Sequence, residues 1–70
     1  MGKTLRFKAI TADGDKRVQI TPRSRMHVWN TVARWEAEHG IDNLVVNGRV
    51  YSCTASNRTL VDLICRMGGV

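Results

Sequence analysis

Thr59-Leu60-Val61-Asp62-Leu63-Ile64-Cys65-Arg66-Met67-Gly68-Gly69 is the stretch on which the architecture turns. Read as a helix, it places Leu60, Leu63, Ile64 and Met67 at i, i+3, i+4 and i+7. Thr59 and Asp62 then make a capping-box pattern, Arg66 suits the negative end of the helix dipole, and Gly68-Gly69 supplies the stop. Read as a strand, Val61, Leu63, Cys65 and Met67 alternate with Leu60, Asp62, Ile64 and Arg66, a second face that mixes aliphatic and charged side chains. Three end signals agree on a helix, with the strand as the alternative. A helix closes a ββαββα chain; a strand gives ββαβββ.

The elements upstream are simpler to read. Leu44-Val45-Val46, Asn47-Gly48 and Arg49-Val50-Tyr51 form a hairpin pattern, because Asn-Gly between two β-rich runs favours a type I′ turn. Before it, Ser24 is a plausible N-cap for a helix over 25–39. Val28, Trp29, Val32 and Trp35 recur at helical spacing on one stripe of that helix, and Met26 and Ala33 are further apolar positions. Gly40 ends it as a left-handed residue, with Ile41 as the apolar contact that follows. Pro22 stops the strand before the helix. Thr4 to Ile10 alternates Leu5, Phe7 and Ala9 with Arg6 and Lys8, and Val18 and Ile20 alternate with Arg17, Gln19 and Thr21. Residues 11–15, with Gly14, form the turn between them.

An internal echo supports the terminal helix. At an offset of 32, Val18, Ser24, Val28, Val32 and Trp35 align with Val50, Ser56, Leu60, Ile64 and Met67. The expected fold is α+β: a four-stranded antiparallel sheet with both helices on one face and the other face open.

The chain has 70 residues, enough for a single domain. Eleven Lys and Arg against six Asp and Glu give a net charge of +5, which attracts nucleic acid, anionic lipid or acidic protein. No run is apolar enough for a signal peptide or membrane span, and Gly2 lacks the downstream hydroxyl of a myristoylation signal. A cytoplasmic setting with Cys53 and Cys65 reduced is expected.

No catalytic constellation is legible. His27 and His39 have no Ser or Cys placed to pair with them, Asp13-Gly14-Asp15 lacks the later ligands of a calcium loop, and the two cysteines lie outside any zinc spacing. No phosphate loop of the GxxxxGK[ST] type occurs. The expectation is a non-enzyme without cofactor or metal. The basic residues are better placed: Arg6, Lys8 and Arg17 share the polar face of the first hairpin, with Lys16 at its turn end. Arg23 and Arg25 crowd the start of the helix, where cations oppose the dipole, and Arg49 follows the second turn. These seven are the candidate polyanion-binding residues. Nucleic acid is the expected partner, ahead of an acidic protein surface. A protein-binding helix face bearing His27, Arg34 and Glu38 is a further possibility, as is homodimerisation through a sheet edge.

From the second hairpin onward the chain also resembles the ubiquitin-like β-grasp sulfur carriers that serve thiamine and molybdopterin synthesis. The resemblance lies in Val45-Val46-Asn47-Gly48-Arg49-Val50 and in Val61 to Gly69 with its diglycine. It implies a β-grasp ββαβββ fold with a fifth strand in place of the terminal helix, acting as a carrier or protein–protein adaptor. Gly69 would be the residue adenylated and thiocarboxylated by an activating enzyme, once Val70 had been removed.

Overall fold

A computed structural model describes residues 3–53 and 57–70. The elements run β1 (Leu5–Thr11), β2 (Gly14–Ile20), α1 (Arg25–His39), β3 (Ile41–Val46), β4 (Arg49–Ser52) and α2 (Arg58–Gly68). All four strands join one antiparallel sheet in the order β2-β1-β3-β4. Exchanging the two ββα units leaves that order unchanged, which is the topological content of the sequence echo. The echo holds in the helices, where Val28 matches Leu60 and Val32 matches Ile64, all four buried. It fails in the hairpins: Val18 points into the core while Val50 is 60% exposed. Ser56, the counterpart of Ser24, lies outside the described residues, as does Gly2.

Local chemistry explains each boundary. Ser24 caps α1 by accepting the His27 N–H at 3.1 Å, and Gly40 closes it at φ 62° with its N–H donating to the Glu36 carbonyl. Asn47 and Gly48 both have positive φ, 52° and 79°, as a type I′ turn requires. β1 extends one residue beyond the alternating run, because Thr11 still pairs with Gly14 and its hydroxyl donates to the Gly14 carbonyl at 2.6 Å. β3 begins at Ile41 rather than Leu44: the residue that follows the helix stop is also the first of the strand.

The terminal stretch is a helix, so the fifth strand of the β-grasp alternative does not form. Its details differ from the pattern at two points. The capping box is absent, since Asn57 occupies the N-cap and Asp62 reaches instead to Arg25 on α1. The buried face is Leu60, Val61, Ile64 and Cys65, with Leu63 and Met67 only half-buried at its margin. Apolar residues occupy most of this helix's circumference, so spacing alone cannot centre the face; Asp62 and Arg66 fix it by pointing away.

One core lies between the sheet and the helices. Leu5, Phe7, Ala9, Val18, Ile20, Ile41, Leu44 and Val46 contribute from the sheet, Cys53 from just beyond β4, Val28, Val32 and Trp35 from α1, and the four buried residues of α2 complete it. Each fully buried aliphatic side chain such as Leu44 or Ile64 contributes about 1.5–3 kcal/mol. Trp29 packs at the edge of this core, whereas Met26, counted among the apolar positions of α1, is 67% exposed, and Ala33 is exposed too. No helix among the described residues is long and apolar enough to cross a membrane.

Candidate functional site

The pairing register fixes what the uncovered face of the sheet carries. Lys8 lies opposite Arg17 on β2 and opposite Val45 on β3, and Val45 lies opposite Val50 on β4. Arg17, Lys8, Val45 and Val50 therefore form one row across all four strands. On one side of this row lie Arg6 and Gln19; on the other lie Asp15, Ile10, Asn43 and Ser52. The face is divided, with cations over β1 and β2 and aliphatic side chains over β3 and β4.

Three of the seven candidate residues, Arg6, Lys8 and Arg17, come together here and line one open depression with Gln19. Lys8 and Arg17 are directly opposed like charges, an arrangement that costs a sheet stability. Asp15 relieves part of it through an ion pair with Lys8 at 3.0 Å, more than half exposed at both ends. Such a pair contributes little in water and opens readily to a competing anion.

Of the other four candidates, Lys16 borders this cluster, lining a depression at the turn end of the hairpin with Lys8, Asp15 and Arg17 although its register partner Ala9 faces the core; Arg23, Arg25 and Arg49 lie apart. Arg49 is exposed on β4, the opposite edge of the sheet. Arg25 is hydrogen-bonded and ion-paired to Asp62; the carboxylate raises the guanidinium pKa further and ties the start of α1 to α2. Arg25 thus has a structural partner, which accounts for a cation placed against the helix dipole. Arg23 precedes the Ser24 cap and lines a second depression with Gln19, His27 and Arg34.

Tyr51 pairs with Leu44, whose side chain faces the core, and packs half-buried against that core rather than on the open face. The described residues of the open face carry no aromatic side chain. They also contain no group of three metal-ligating side chains. Both cysteines are buried and free, and burial, aided by the negative charges of Glu36 and Asp42, pushes the Cys53 thiol up to about 11. A thiol held protonated in this way is a poor nucleophile.

β1 and β2 antiparallel place Arg6 toward the end where β2 leads into α1, which is also the end holding Arg23, while Lys8 and Arg17 lie at mid-strand. α1 runs to the opposite end, carrying Glu36 and Glu38 toward the hairpin turn that holds Asp13, with Asp42 just beyond in β3. Sequence reasoning found the cations of the sheet. It missed Gln19 as the link between the two depressions, because that link depends on how α1 folds back over β2.

No family model matches the chain, and neither a curated protein nor a solved structure shows significant similarity to it.

Proposed function

We propose that the protein is a non-catalytic module that binds nucleic acid through the cationic half of its open sheet face. The observation that carries this reading is the direct opposition of Lys8 and Arg17, with Arg6 diagonal to Arg17, on a surface that neither helix covers. Like charges facing each other across a strand pair work against the fold, and an incoming phosphate backbone relieves them. With no exposed aromatic among the described residues of that face, contact is to phosphates rather than stacked bases. Binding is therefore tolerant of sequence and at home on a duplex.

Anisotropy of a labelled DNA duplex, with Arg6, Lys8 and Arg17 changed together to Ala, tests the proposal. Affinity should fall at least tenfold while circular dichroism stays native. Equal affinity for the triple variant refutes it.

A second reading draws on the exposed Val50 and the half-buried Val45, which continue the row of cations as an aliphatic patch. They favour an acidic protein partner with apolar side chains, bound as an adaptor binds. The two separate on the wild-type protein: duplex binding that Val50→Thr leaves within about twofold supports phosphate contact, and no measurable duplex binding leaves the acidic protein partner.

A further inference from the structure

We infer that the polar depression at the junction of β2 and α1 is a second phosphate-binding subsite, contiguous with the sheet face. Its polar lining is Gln19, Thr21, Arg23, His27, Thr31 and Arg34, with Ile20 beneath. The inference rests on the nucleic-acid reading and extends it, because Gln19 lines both depressions. β2 is an edge strand, so no neighbouring strand separates them. A phosphate backbone lying over Arg6, Lys8 and Arg17 continues around that edge to Arg23 and Arg34.

The chemistry of the junction suits a phosphodiester. Arg23 and Arg34 are both exposed, and among the described residues neither makes an ion pair. Two guanidinium groups lining one depression repel each other, and a shared anion relieves the repulsion while accepting their forked donors. His27 adds a donor. Its Nδ1 accepts the Arg23 backbone N–H at 3.3 Å, so in the neutral imidazole the proton sits on Nε2. The Thr31 hydroxyl, by contrast, is committed to the His27 carbonyl at 2.8 Å and serves to hold the helix turn. Gln19 supplies an amide donor between the two clusters.

Two double variants, Arg23→Ala with Arg34→Ala and the charge-neutral Arg23→Gln with Arg34→Gln, test this against the same labelled duplex and against inorganic pyrophosphate. Native circular dichroism is checked for each. The expected result is an affinity loss of at least tenfold for the duplex in both variants. With the wild-type protein, pyrophosphate should also shift the amide resonances of Gln19 and His27. Wild-type binding that is weakened by the sheet substitutions but untouched by both junction variants overturns the subsite and leaves the sheet reading standing. Loss in the junction variants with no loss in the sheet variant supports the subsite and refutes the sheet reading. A wild-type protein that binds neither duplex nor pyrophosphate refutes both.

Discussion

Pro22 occupies the space in which a side chain at position 68 would begin: a Cβ built on Gly68 would lie 2.6 Å from the Pro22 Cγ. The buried proline that ends β2 and the last turn of α2 are thus in direct contact. The two adjacent glycines have different duties. Gly68 admits the proline, and Gly69, at φ 74°, turns the chain out of the helix. In an open helix Gly→Ala is stabilising by about 1 kcal/mol. Gly68→Ala should instead destabilise by about 1–3 kcal/mol through overpacking. Urea denaturation reads the sign directly, and a raised midpoint would contradict the contact.

Lys8 and Arg17 face each other across β1 and β2, and their opposition should be measurable as stability forgone. Arg17→Gln removes one charge while keeping a long polar side chain. It should raise stability by about 0.2–1 kcal/mol. The same substitution should weaken duplex binding. A variant that loses stability and keeps its affinity would mean that Arg17 belongs to the fold and not to the binding face.

How much of this could be read from sequence depended on the range of the interaction. Ser24, the stripe of Val28, Val32 and Trp35, and Gly40 define α1 because a cap, a periodicity and a left-handed stop are all local. The Asn47-Gly48 turn is local for the same reason. Asp62 was open to misreading because its partner, Arg25, is 37 residues away and only the packing of α1 on α2 joins them. Alternation placed Arg6, Lys8 and Arg17 on one face, but the neighbours of that face, Val45 and Val50, follow from the β1–β3 pairing. The junction of Arg23 and Arg34 likewise depends on where the helix lies after Pro22.

Cys53 gives a pH signature. Its pKa is raised to about 11 by burial, against an ordinary value of 9.0. Between these values the unfolded chain loses the thiol proton and the folded chain keeps it, so stability falls as pH rises. The contribution is fully present below about pH 9 and is lost as pH climbs through about 11. Thermal melts across this window should therefore show a shallower decline for Cys53→Ala than for the wild-type protein. Identical slopes would show that the thiol is not shielded in the folded state.

If Arg6, Lys8 and Arg17 together meet a phosphate backbone, as proposed, their removal changes how binding responds to salt. The dependence of duplex affinity on salt, measured for the wild-type protein and for the variant with all three changed to Ala, tests it most directly. Each phosphate contact contributes about 0.9 to the slope of log K against log salt concentration. The triple variant should therefore have a slope shallower by about 2 to 3. Parallel lines for the two proteins would contradict the account.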